Sequence, residues 1–172
     1  RYLFEKKQGL SHARNLGITE SKGSYLFFTD DDVCPERDWV CQLLKGFEQF
    51  SCDACGGHIS PIWEVQPPEW LTERLHGFLA LRMDDAGPRQ ITSTDDLPFG
   101  ANMAFRREVF EKLGDFDTAL GRKGTVLAGS EELDLFERIL HNEGVIYYIP
   151  QARVHHRIEG FRTNKMYFRR WR

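Results

Sequence analysis

The run Tyr25-Leu26-Phe27-Phe28-Thr29 passes directly into Asp30-Asp31-Asp32, so a stretch apolar enough to demand burial ends in three consecutive carboxylates. A chain of this kind must place a buried strand so that its end is tolerant of charge. Side chains alternate along a strand and its continuation, which sets Asp30 and Asp32 on one side and Asp31 on the other. Two like charges this close repel unless something positive lies between them, and a hard divalent ion with oxygen ligands answers that need. The alternative is a polar loop whose Asp side chains cap a turn.

The remaining punctuation alternates between strand and helix signals, which points to an α/β arrangement. Residues 1–5 read as the end of a strand, 11–20 as a helix closed near Gly23, and 25–29 as a short buried strand. A helix follows over 38–50, where Trp39, Val40, Leu43, Leu44 and Phe47 have the spacing of a core-facing stripe. Residues 54–60 form the next strand. The stretch 61–96, with turns at Pro67-Pro68 and 84–88, reads as a mobile surface loop around a short helix over 69–81. A strand over 100–106 runs into a helix over 107–113 that Gly114 ends. A glycine loop carrying Gly121, Gly124 and Gly129 leads to Ser130, a candidate cap for a helix reaching Asn142 with Glu131 and Glu132 in its first turn. Residues 145–149 are the last strand, and Pro150 is expected to stop it.

The 172 residues suffice for one core, and the net charge of -3 excludes a general attraction to nucleic acid. The balance is uneven. From 161 onward Arg162, Lys165, Arg169, Arg170 and Arg172 alternate with Phe161, Tyr167, Phe168 and Trp171, a basic aromatic tail that reads as a solvated helix face, a membrane-surface helix or a phosphate-binding lid. No stretch has the length of a membrane span and no apolar signal core is seen, so the expected location is cytoplasmic, at most at the cytoplasmic face of a membrane. Cys34, Cys41, Cys52 and Cys55 invite a zinc reading, but the first pair lacks tight ligand spacing, and reduced structural thiols are the reading adopted.

Several motifs, in order, resemble a known family. The run Gly9-Leu10-Ser11-His12-Ala13-Arg14-Asn15-Leu16-Gly17-Ile18, followed by 25–39 with its three Asp, is similar to the middle of a family 2 glycosyltransferase of the GT-A fold. Phe99-Gly100-Ala101-Asn102-Met103-Ala104-Phe105-Arg106-Arg107 with Gly114-Asp115-Phe116-Asp117 resembles that family's acceptor-side segment, and Gly129-Ser130-Glu131-Glu132-Leu133-Asp134-Leu135 with Arg138 resembles its E-D helix. Pro150-Gln151-Ala152-Arg153-Val154-His155-His156 is similar to the strand end that supplies a histidine.

The resemblance implies an incomplete GT-A domain over 1–160, without the family's first strand-helix-strand unit, and with a mixed, mostly parallel sheet flanked by helices. It implies transfer of a sugar from a nucleotide-diphosphate sugar to a saccharide or lipid-linked acceptor hydroxyl, with inversion and with a divalent metal, Mn2+ or Mg2+. By the same matching, Arg14, Asp30 and Asp31 would lie at the nucleotide, with Asp30 facing the ribose. Asp32 would bind the metal with His156 as a further ligand, and Glu132 would be the general base.

Glu132 is a departure, since the family has Asp at that position. Arg14 reads equally as a surface cation, Glu131 and Glu132 as ordinary acids at a helix start, His156 as a histidine merely ending a strand, and Asp134 with Arg138 as an exposed pair. Two other functions stay open: a non-catalytic binding or scaffold fragment, and a metal-dependent phosphoryl or nucleotidyl transferase. Without the first strands the sheet holding 25–29 is expected to keep an open edge and to self-associate.

Overall fold

The computed structural model describes residues 1–121 and 130–170. Gly124 and Gly129 of the glycine loop lie outside the described residues. The elements run α1 (Leu10–Glu20), β1 (Tyr25–Phe28), β2 (Val33–Pro35), α2 (Trp39–Phe50), β3 (Ala54–Trp63), β4 (Arg89–Ile91), β5 (Met103–Arg106), α3 (Arg107–Leu113), α4 (Glu131–His141), β6 (Ile146–Ile158) and α5 (Lys165–Arg169). Short 3₁₀ turns occupy Glu73–Leu79, Thr94–Asp96 and Gly160–Thr163. Residues 1–5 are not in a strand, and β1 is an edge strand with only β5 beside it among the described strands.

The strands form one sheet in the order β1-β5-β3-β6-β2, with β4 also on β6. The α/β class and the mixed sheet stand, whereas the parallel majority does not: β3 with β6 is the parallel pair, and the other four pairings are antiparallel. The cause is topological. β1 and β3, linked through α2, both run opposite to β5, which inserts between them and turns one would-be parallel contact into two antiparallel ones.

Alternation along the strands divides the core between the two faces of the sheet. On one face Cys55, Ala104 and Val154 meet Leu43 and Phe47 of α2; on the other Leu26, Phe105 and Tyr148 meet Ile18, Phe110, Leu135 and Phe136 of the remaining helices. Each fully buried Leu or Phe here contributes roughly 1.5–3 kcal/mol. In α2 the buried stripe is Trp39, Leu43, Gly46 and Phe47; Val40 is exposed, because its position turns away from the sheet. The 61–96 stretch is no free loop. Leu71, Leu79, Leu81 and Ile91 are buried, Arg82 bridges to Ile59, and β4 pairs with β6. Its helix shrinks to the 3₁₀ turn, since the buried leucines follow the surface they cover rather than a helical period.

Pro150 bends β6 instead of ending it. Gly57 faces Ile149 and the next residue, His58, faces Arg153, so residues 150–152 bulge out of register. A proline cannot donate to a ladder, and the bulge removes that requirement. The Ala152 carbonyl leans inward so far that a Cβ on Gly57 would lie 2.1 Å from it, which explains glycine there. Asn102, fully buried, donates to the carbonyls of His58 and Ala152 and accepts from the Trp39 indole, satisfying the irregular backbone. The bulge carries β6 on for eight residues beyond Pro150 to Ile158, and this extension brings His156 to the site.

Candidate functional site

Two clusters of charge form at the carboxyl end of β1. The first is built around Arg14. The side of α1 facing inward buries Ser11, Arg14 and Ile18, which puts a guanidinium under the strand end. Arg14 lies over the Phe116 ring at 5.5 Å, donates to Glu131 at 2.6 Å and reaches Asp30 at 3.4 Å. Glu131 is only 2% exposed, and its second carboxylate oxygen is buried without a hydrogen-bond partner. A Cβ on Gly100 would lie 2.6 Å from the Arg14 guanidinium, so the close approach of that group requires glycine.

Glu132 stands beside this pair with a different balance. Burial, then the neighbouring Glu131 charge, push its carboxyl above the ordinary range, against opposing help from the backbone, Arg14 and Gly100. A carboxyl raised in this way is a better proton acceptor than an ordinary one. Ser130, expected to cap α4, precedes it with φ 93° and makes no capping bond; acids in the first turn complement the helix dipole instead. Arg138 pairs with Asp134 at 2.8 Å and also donates to the carbonyls of Leu113, Gly114 and Asp115, fastening α4 to the end of α3.

The second cluster follows from strand pairing. β2 pairs antiparallel with the extension of β6, setting Val33 opposite His156, and the Arg157 amide donates to the Asp32 carbonyl at 2.9 Å. The Asp32 carboxylate thus meets the His156 ring, Oδ2 to Nε2, at 3.2 Å. His156 is buried while its neighbour His155 points outward to Ser60 and Glu36. Arg162, from the turn after β6, completes the group at 3.4 Å from Asp32 and 3.2 Å from His156. The contact with His156 first, then the His156 and Arg162 charges, hold the Asp32 carboxyl below its ordinary range against the opposing effect of burial.

The structure therefore brings Arg14 to Asp30, with Glu132 alongside, and Asp32 to His156. Asp31 is exposed in the turn between β1 and β2. A groove of about 490 Å³ runs between α1 and β1 and ends at Asp30 and Asp31, with Arg14 in its wall. Asp32 Oδ1 and His156 Nδ1 are buried without hydrogen-bond partners, so the pair is not saturated. A carboxylate and an imidazole suit a divalent ion such as manganese. Among the described residues no group of three or more His, Cys, Asp or Glu could hold a metal, so other ligands would have to come from substrate or water. Cys52 and Cys55 are buried, Cys34 and Cys41 exposed, and all four are free thiols.

Sequence reasoning missed Arg162, Asn102 and the locked role of Glu131. Arg162 sat in the basic tail with nothing to separate it from Arg157 or Arg169. In the structure that segment packs back: Thr163 and Tyr167 are buried, and Phe168 meets Trp70 edge-on at 5.4 Å. Phe161 and Met166 remain exposed. No helix among the described residues is long and apolar enough to cross a membrane.

Comparison with known proteins agrees with this fold. The chain is 30% identical over 161 residues to a glucosyl-dolichyl phosphate glucuronosyltransferase of Haloferax volcanii, covering 92% of this chain and 51% of the relative. It is 26% identical to the succinoglycan biosynthesis protein ExoM of Rhizobium meliloti, over 90% of this chain and 46% of the relative. The chain thus spans about half the length of these curated relatives. A solved structure of GalNAc-T7 with UDP, GalNAc and Mn2+ superposes with a TM-score of 0.64 at 21% identity, over 91% of this chain and 32% of that one, a likeness of fold that identifies the GT-A architecture. The profile described as Glycosyl transferase family 2 matches residues 1–114, more than half of the chain, and the chain belongs to that family.

Proposed function

We propose that the protein takes part in transfer of a sugar from a nucleotide-diphosphate sugar to an acceptor hydroxyl, with a divalent metal and with inversion at the sugar carbon. The observation that carries this reading is the convergence at one strand end of three different chemistries: a groove closed by Asp30 and Asp31, an unsaturated carboxylate-imidazole pair, and a carboxyl whose pKa burial raises. The relatives' names support sugar transfer, one of them to a lipid-linked sugar, and support a saccharide or lipid-linked acceptor here.

The roles divide by position. Arg14 and Asp30 form the rigid end of the groove, with Asp31 beside them, where a nucleoside would lie. Asp32 and His156 would hold the metal, Mn2+ or Mg2+, which when bound supplies Lewis-acid stabilisation of charge on the departing diphosphate. Glu132 accepts the proton of the attacking hydroxyl, so a single displacement inverts the anomeric centre. Its extra methylene relative to the family's Asp shifts the carboxylate, and a displacement of about 1 Å at a reacting group can cost on the order of a hundredfold in rate.

A thermal-shift screen of nucleotide sugars with manganese, followed by product analysis against saccharide and lipid-linked acceptors, tests the reading. Sugar found on the acceptor supports it. Nucleotide bound without turnover favours a binding role, and released or transferred phosphate favours phosphoryl chemistry; either outcome overturns the assignment.

A further inference from the structure

Arg162 lies on the 3₁₀ turn Gly160–Thr163, and its side chain is only 6% exposed. One nitrogen of its guanidinium, Nη1, is 3.4 Å from Asp32 Oδ2 and 3.2 Å from His156 Nε2, and those two atoms are themselves 3.2 Å apart. The three atoms make a near-equilateral triangle, whose chemistry is restrictive. A guanidinium only donates, so in the neutral Nδ1–H tautomer, the form a metal also needs, it bonds both the carboxylate and the Nε2 lone pair, whereas with Nε2 protonated the imidazole itself donates to Asp32. The carboxylate and the Nε2 lone pair are the two electron pairs that a metal would need.

We propose that Arg162 is a stand-in cation for the Asp32–His156 pair: it holds the two ligands together in the metal-free protein, and a divalent ion binds only as Arg162 withdraws. The proposal rests on the reading of Asp32 and His156 as metal ligands. Its contacts of 3.2 and 3.4 Å are longer than the 2.7–2.9 Å of strong charge-assisted bonds, so less is lost when they are exchanged. Asp32 Oδ1, His156 Nδ1 and Arg162 Nε are all buried without partners, which marks a group that does not saturate itself.

Withdrawal of Arg162 is tied to the segment around it. The guanidinium lies 5.7 Å from the centre of the Tyr167 ring, and Tyr167 belongs to the core that Trp70 and Phe168 adjoin. The turn is pinned by the Gly160 amide on Glu64 and by the Thr163 hydroxyl on the Gly160 carbonyl. Exchange of Arg162 for a metal therefore loosens residues 160–169 and couples metal binding to the conformation of this flap.

Manganese titration followed by electron paramagnetic resonance, without nucleotide, tests the exchange in wild type, Arg162→Met, Arg162→Lys and Asp32→Ala. Arg162→Met keeps length and apolar packing but removes the competing charge, so its affinity for manganese should rise about tenfold as the competent fraction increases. Arg162→Lys retains a cation and should stay near wild type. Unchanged or weaker binding by Arg162→Met overturns the proposal, since a purely structural or ligand-supporting arginine predicts that result. Equal affinity in wild type and Asp32→Ala overturns the metal assignment itself. A second readout needs no Arg162 variant: in wild type, manganese should speed hydrogen exchange at the amides of residues 162–167, and unchanged exchange under saturating metal also overturns the proposal.

Discussion

Two buried arginines serve the same strand end in opposite ways. Arg14 grips Glu131 at 2.6 Å, rests on an aromatic ring and takes Asp30 as a second partner. Arg162 touches its partners at 3.2 and 3.4 Å, with no contact as short as that between Arg14 and Glu131. The difference lies in desolvation. Glu131 is almost wholly excluded from water, so its charge must be neutralised permanently, whereas the Asp32 side chain keeps 36% of its exposure and can change partners. A rigid wall and an exchangeable site thus stand next to each other, and each can be broken separately.

The largest effect should come from the acid beside the rigid wall. Glu132→Gln keeps size and hydrogen bonding but cannot accept a proton, so transfer should fall by about 10²–10⁴-fold with donor affinity little changed, as initial rates and nucleotide titration would show. Near-normal turnover would move the base to Asp134 or Glu131. The same variant should be more stable than wild type at pH 7. A carboxyl raised in the folded state binds protons more readily there than when unfolded, so wild-type stability declines as pH rises above the ordinary glutamate value of 4.5. Urea midpoints at pH 7 and pH 4 check the sign, since the advantage should vanish at the lower pH.

Breaking the wall itself comes next. Glu131→Ala leaves Arg14 buried without its close partner and should cost about 3–5 kcal/mol in urea unfolding, while Arg14→Met with Glu131→Leu together should cost far less. Equal losses would mean that the pair is valued for its charges rather than for mutual neutralisation.

The matching break in the exchangeable site should be mild for the fold. Asp32→Ala should abolish manganese binding by isothermal titration yet lower stability by only about 1 kcal/mol, because the Asp32 carboxylate keeps 36% of its exposure and water screens its contacts. Retained affinity would remove Asp32 from the site. The stability advantage of wild type over Asp32→Asn belongs to a depressed carboxyl, so it should be present above pH 3.8 and shrink as pH falls through the lower folded-state value.

The smallest expected effect is at the free edge of β1, which pairs only with β5 among the described strands. Weak self-association at low micromolar concentration should appear by analytical ultracentrifugation, and a strictly monomeric species would overturn this expectation.

Local signals carried much of this far. The apolar run before three aspartates, the stripe of α2, the glycine after α3 and the acids opening α4 are properties of neighbours in the chain, and the strands and helices they announced are present at nearly the expected places. Arg14, Asp30, Asp32, Glu132 and His156 stand in motifs legible in the chain, and the structure brings Arg14 to Asp30 and Asp32 to His156. What residues close in sequence cannot encode is who lies beside whom. The insertion of β5 between β1 and β3, the conversion of Pro150 from a stop into a bulge, and the return of the basic segment onto the core all depend on partners dozens of residues away. Arg162 is the clearest case. In the chain it is one cation among several, and only burial beside a carboxylate 130 positions earlier turns it into a group that must be exchanged or neutralised.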